Sequence, residues 1–201
     1  MANLRVQEFK RDLVLQAAHA LFSKFCFEAV TVDDIAQEAG FSKATLYVLF
    51  SSKEEILFNV LRDGLEKFIV KIQAIIDNSP DSIAALDTAI STYYYGFREY
   101  ASLVMAFIRR KESDAVKPEW YEEIGALVNK KKGLLAEILD RGMQEKLLPE
   151  QDPVNLARIL DAMIMGICQP RVTKDALNGE QDLKISKDIL FYGIMHDKRE
   201  G

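Results

Sequence analysis

The residues best suited to chemistry with a partner lie between positions 42 and 53. Lys43, Ala44 and Tyr47 fall on one face of a short helix, and Ile35, Ala39, Leu46 and Phe50 form the apolar set that this helix and its neighbour bury. A cation, a small side chain and a phenol turned outward suit phosphate oxygens and base edges better than acid–base or nucleophilic catalysis. Lys53 adds a second cation at the start of the following helix, where the N-terminus at Ser52 carries partial positive charge of its own. The sequence has no Gly-rich phosphate loop, no Cys/His dyad spacing and no metal-ligand cluster, so neither an enzyme nor a cofactor or metal is expected. Cys26 and Cys168 read as small buried hydrophobes, and His19 and His196 as packing or surface residues.

Helices must position these groups. Apolar residues recur at helical spacing throughout, and no stretch alternates with the period of two that a sheet needs, so the fold class is all-α with about nine helices. Phe9, Leu13, Ala17, Leu21 and Phe25, flanked by Ala18 and Phe22, predict a first amphipathic helix ending near Cys26. Thr31 followed by Asp34 can cap a second helix, whose buried face is Ile35, Ala36 and Ala39. Gly40 sits where a left-handed residue ends a helix, and Ser42 can cap a third that passes through Thr45. Two short helices joined by so tight a turn have helix-turn-helix geometry, in which the second helix enters the major groove. Ser51 and Ser52, each with a glutamate three residues on, open a long helix ending near Asp77, and further breaks fall around 78–82, 114–118, 148–153 and 169–180.

A more specific pattern runs over residues 9–58: Ala17-Ala18, Leu21-Phe22, Thr31, Ile35-Ala36, Ala39-Gly40-Phe41-Ser42, Thr45-Leu46-Tyr47, Phe50 and Ser52-Lys53-Glu54-Glu55. This closely resembles the amino-terminal signature of tetracycline-repressor (TetR) family regulators. The resemblance implies a DNA-binding transcriptional regulator, a repressor released by a small-molecule effector. Its DNA-binding residues would be Ser42, Lys43, Ala44, Thr45, Tyr47 and Lys53, with Lys53 neutralising a phosphate. It also implies a homodimer on double-stranded operator DNA. The division would be a helix-turn-helix domain over 1–53 and a helical ligand-binding and dimerisation domain over 54–201, paired through its last two long helices. Two positions depart from the family pattern. Leu49 stands where the family often has a His or Tyr phosphate contact, and Cys26 where a glycine commonly closes the first helix, which requires a different turn or a less comfortable backbone.

The remaining chain supplies candidates for the effector site: the aromatic stripe Tyr93, Phe97 and Tyr100, then Trp120, and Asp161. The helix from Val154 is apolar around much of its circumference, as an oligomer interface requires, with Leu160 and Met163 on one side and Ala157 and Ile164 on another. Asp161 shares the face of Ala157 and Ile164, where an unpaired carboxylate would be costly. Either a cation such as Arg158 or a lysine of a neighbouring helix pairs with it, or it faces a cationic or hydrogen-bond-donating ligand. Lys130-Lys131-Lys132 reads as a solvated helix face.

With 201 residues, 49% of them hydrophobic and only five prolines, the chain can bury enough apolar surface to fold. Its net charge of −5 argues against coating nucleic acid non-specifically but not against a locally basic reading face. No apolar run is long enough to cross a membrane and the start lacks a secretory signal, so a cytoplasmic protein without a membrane partner is expected. The competing reading is a helical interaction protein that does not bind DNA, which leaves Lys43, Thr45, Tyr47 and Lys53 unexplained.

Overall fold

Eight helices account for this periodicity in the computed structural model, which describes residues 2–110, 116–168 and 179–194. They are α1 (Ala2–Lys24), α2 (Val32–Glu38), α3 (Lys43–Leu49), α4 (Lys53–Asn78), α5 (Ser82–Arg109), α6 (Pro118–Gln144), α7 (Pro153–Cys168) and α8 (Gly179–Ile194). No strand occurs among the described residues, and no helix there is long and apolar enough to cross a membrane. The expected break around 169–180 lies largely outside the described residues and that around 114–118 partly so, while His196 lies outside them.

Local chemistry fixes the two short helices. The Thr31 hydroxyl accepts from the Asp34 amide at 3.1 Å while the Asp34 carboxylate accepts from the Thr31 amide at 2.8 Å, a reciprocal capping box. The Thr31 hydroxyl, which also donates to the Asp34 carboxylate at 2.7 Å, and then the Thr31 amide hold that carboxyl below its ordinary pKa. At the other end of α2, Gly40 adopts φ 73°, and the amides of Gly40 and Phe41 donate to the carbonyls of Gln37 and Ala36 at 3.1 and 2.9 Å. That paired closure needs a left-handed residue, which is why glycine stands there. Ser42 then caps α3 by accepting from the Thr45 amide at 3.2 Å.

The first helix corrects two expectations. Ala17 is buried and Leu21 packs on the core as expected, beside Ala18 and Phe22, but Val14 and Leu15 join them while Phe9 and Phe25 are exposed. Apolar residues occupy two faces of the helix, so spacing alone could not choose between them. Cys26 is exposed too, not buried. The chain leaves α1 through a turn in which the Ala29 amide donates to the Cys26 carbonyl at 3.0 Å, and among the described residues only Gly40 and Lys146 have positive φ. Cys26 therefore closes the helix without the strain expected for a residue in glycine's place.

The chain divides into two compact units, one of Met1–Leu65 with Glu99–Leu127 and one of Glu66–Arg98 with Val128–Gly201. In the first, Val14, Phe22, Ile35, Leu46 and Leu57 share a core with Leu103, Phe107 and Trp120. The Trp120 ring stacks on Phe58 at 5.0 Å. In the second, Ile72, Leu86, Ile90, Leu135, Leu139 and Leu160 are buried.

Within the first unit Gly64 of α4 lies under the Tyr100 ring, which stacks on His19 at 4.8 Å. A Cβ at Gly64 would come within 2.6 Å of that ring. In a helix interior Gly→Ala normally stabilises by roughly 0.5–1 kcal/mol, but overpacking of about 1–3 kcal/mol opposes it here. Gly64→Ala is thus expected to lower the urea midpoint, and the same change in a Tyr100→Ala background to raise it. An unchanged sign in both backgrounds would show that the ring does not constrain Gly64.

Candidate nucleic-acid interface

The helix α3 is held from below and from its end. Ile35, Leu46 and Phe50 are buried and Ala39 is partly so, as expected, and Leu49 joins them in the core. Leu49 therefore offers no side-chain contact to phosphate; its backbone carbonyl instead accepts from the Arg11 guanidinium of α1. The same guanidinium lies over the Phe50 ring at 4.1 Å and stands 4.0 Å from Glu55. Arg11 thus ties the last turn of α3 to α1 and α4, a role without any local sign in the sequence because the contact joins residues 38 apart.

This scaffold turns Lys43, Ala44 and Tyr47 outward together, with Val48 beside them. Ser42 and Thr45 are different. The Ser42 hydroxyl is engaged in capping, and Thr45 is half-buried with its hydroxyl 2.9 Å from that of Ser42. The Lys43 ammonium donates to Asp33 at 2.7 Å, and this partner raises its pKa. Both groups are exposed, so the pair is weak and a phosphate can compete for the lysine. Asp33→Asn should therefore tighten DNA binding by about two- to fivefold at low salt, measured by fluorescence anisotropy. Weaker binding by that variant would mean that Asp33 orients Lys43 productively.

Lys53 is placed differently from a simple phosphate contact. Its ammonium donates to the carbonyls of Phe27 at 2.9 Å and Val30 at 2.8 Å and lies 4.2 Å from the centre of the Phe27 ring. Burial lowers its pKa. Two of its three N–H donors are engaged, leaving one for a phosphate. The Arg110 guanidinium also packs over Phe27, at 4.1 Å, and donates to Glu28 at 3.2 Å. Phe27 is therefore contacted by two cations, which join the α1–α2 connection to the start of α4 and the end of α5. Sequence reasoning missed Arg110 and Phe27, since the Arg110–Glu28 contact spans 82 residues.

Residues 14–60, which contain α2, α3 and the start of α4, match the family described as bacterial regulatory proteins, tetR family. The chain carries that family's amino-terminal region. It is 28% identical over 148 residues to the HTH-type transcriptional repressor KstR2 of Rhodococcus jostii (strain RHA1), covering 74% of this chain and 72% of that one. It is 24% identical over 168 residues to the fatty acid metabolism regulator protein of Bacillus subtilis (strain 168), covering 84% of each. Its fold is similar to that of a transcriptional regulator from Saccharomonospora viridis solved in complex with choline, with TM-score 0.80, 21% identity, and coverage of 92% of this chain and 97% of that one.

With that region and these relatives, the chain is a DNA-binding transcriptional regulator. The five candidates for its effector site fall in different units. Tyr100 and Trp120 pack in the core of the first. Tyr93, Phe97 and Asp161 belong to the second, where Tyr93 and Asp161 meet around Lys131. The Lys131 ammonium is 2.7 Å from the Asp161 carboxylate and 5.1 Å from the Tyr93 ring centre, and the Tyr93 hydroxyl donates to the Lys131 carbonyl at 2.7 Å. Lys132 approaches the same carboxylate at 3.8 Å. Burial, with a smaller contribution from Asp161, raises the Tyr93 pKa. Two expectations are settled by this cluster. Asp161 is paired by lysines of α6 and not by Arg158, and Lys131 is buried in that pair, not part of a solvated face.

Proposed function

We infer that this protein is a cytoplasmic repressor that binds a two-fold operator as a homodimer and leaves it when a small-molecule effector binds. The observation that carries the DNA-reading part is the outward face of α3, fixed by the buried Leu46, Leu49 and Phe50 and by Arg11. Residues 1–53 read the DNA in this proposal, Lys43, Ala44 and Tyr47 at the groove, Ser42 and Thr45 by shaping the helix start, and Lys53 by holding the α1–α2 connection and meeting a phosphate. Residues 54–201 bind the effector and pair the protomers.

Pairing is supported by apolar side chains left on α7 and α8, which pack on each other. Ile185, Ile189 and Tyr192 follow i, i+4, i+7 spacing and are exposed, and Ile159, Ala162 and Gly166 form an exposed, mostly small face on α7. Leu160 points into the core of its own unit and belongs to no such surface. A symmetric dimer would cover both stripes and place two α3 helices on one duplex.

For the effector we assign Tyr93, Phe97 and Asp161 with Lys131 in one unit and Tyr100 and Trp120 in the other as the residues whose environment changes on binding. The fatty-acid role named for the Bacillus subtilis relative suits a largely apolar helical body, and the quaternary ammonium of the choline bound to the Saccharomonospora viridis regulator suits aromatic side chains. The test is recovery of bound fragments from the source genome, repeated with candidate small molecules. Enrichment of a common two-fold sequence, lost on adding one compound class, is expected. Recovery of random fragments would leave the helical interaction protein as the better description.

A further inference from the structure

We propose that α3 recognises its operator through thymine, with Val48 and Ala44 packing on C5-methyl groups in the major groove. This rests on the DNA-reading function proposed above and names the base it selects. Bidentate readout of guanine needs Arg or Lys, and of adenine Asn or Gln. The sequence of α3, KATLYVL, contains no Arg, Asn or Gln, and the ammonium of its single lysine, in a weak exposed pair with Asp33 at 2.7 Å, is open to competition from phosphate. What remains on the outward face is apolar. Val48 is 79% exposed, more than any other large hydrophobic residue described in the first unit, and Ala44 precedes it by one helical turn, with Tyr47 alongside. The pattern fits the one major-groove feature that apolar side chains read, the thymine methyl.

The geometry also makes Val48 a stiff probe. Its branched Cβ leaves one favoured rotamer in a helix, so little side-chain freedom is lost on contact. The turn that carries it is closed by the Phe50 amide donating to Leu46 at 2.8 Å and by the Arg11 bond to the neighbouring Leu49 carbonyl. Leu46 and Leu49 fill the core on the other side, so α3 cannot rotate to bury Val48 instead.

The experiment uses the full chain and a duplex selected with it from random-sequence DNA. Each thymine is replaced in turn by deoxyuridine, which removes only the methyl group. At one or more thymines of each half-site the replacement is expected to weaken binding about three- to fivefold, the effect of one buried methyl. Val48→Ala, at an exposed position that leaves the core intact, should lose that sensitivity at one thymine and keep it at the others. Indifference to every replacement, or a Val48→Ala protein as sensitive as its parent at every thymine, would overturn the thymine inference while leaving DNA binding in place. Failure to enrich any sequence would overturn the DNA-reading function itself, and the inference with it.

Discussion

Asp161→Asn is expected to destabilise the protein by about 3–5 kcal/mol, because it leaves the Lys131 ammonium buried without its counter-charge. Asparagine keeps the shape and one acceptor, so the loss reports charge and not a cavity. The Lys131 and Asp161 side chains are only 10% and 5% exposed, which separates this pair from surface ion pairs such as Lys43–Asp33. Removing both charges as Lys131→Met with Asp161→Leu should restore most of the stability, since apolar replacements of a buried pair are often neutral or better. Urea unfolding of the parent, both single variants and the double variant measures this directly. A loss under about 1 kcal/mol for Asp161→Asn would mean that water or a ligand already solvates the lysine and that the pair is not structural.

Ile189→Glu is expected to yield a monomer that has lost specific DNA binding by about 10³-fold, the lower end of the gap between specific and non-specific affinity. Ile189 is 62% exposed in the single chain, so a carboxylate there should leave the protomer folded. In a two-fold dimer the same position faces its own surroundings twice, and two buried, unpaired carboxylates would oppose association. Sedimentation gives the oligomeric state, and anisotropy on a selected duplex gives the affinity. A variant that remains dimeric would move the interface away from the α8 stripe.

What was legible in the sequence is what short-range chemistry decides. The Thr31–Asp34 capping box, the left-handed Gly40 and the Ser42 cap each involve residues within five positions of one another, and all three stand where they were expected. The core face of the short helices was legible for the same reason. The need for a partner at Asp161 was also readable, but not which lysine, because Lys131 lies 30 residues away on another helix. Arg11 on the Leu49 carbonyl, Lys53 on Phe27 and Val30, and Arg110 on Phe27 depend on tertiary placement of side chains long enough to reach several partners. The two ends of the α1 stripe, Phe9 and Phe25, were misread because two faces of that helix are apolar and only packing distinguishes them. Val48 carried a readable signal, its position one turn beyond Ala44, that becomes meaningful once Leu46 and Leu49 are seen to be buried.

The most direct measurement is equilibrium binding of the full chain to a selected duplex and to a shuffled duplex of the same composition, over a series of salt concentrations. The selected duplex should bind at least about 10³-fold more tightly at physiological salt, and log K should fall linearly with log salt for both. Equal affinity for the two duplexes at every salt concentration would contradict a sequence-reading α3, and no binding to either would contradict DNA recognition altogether.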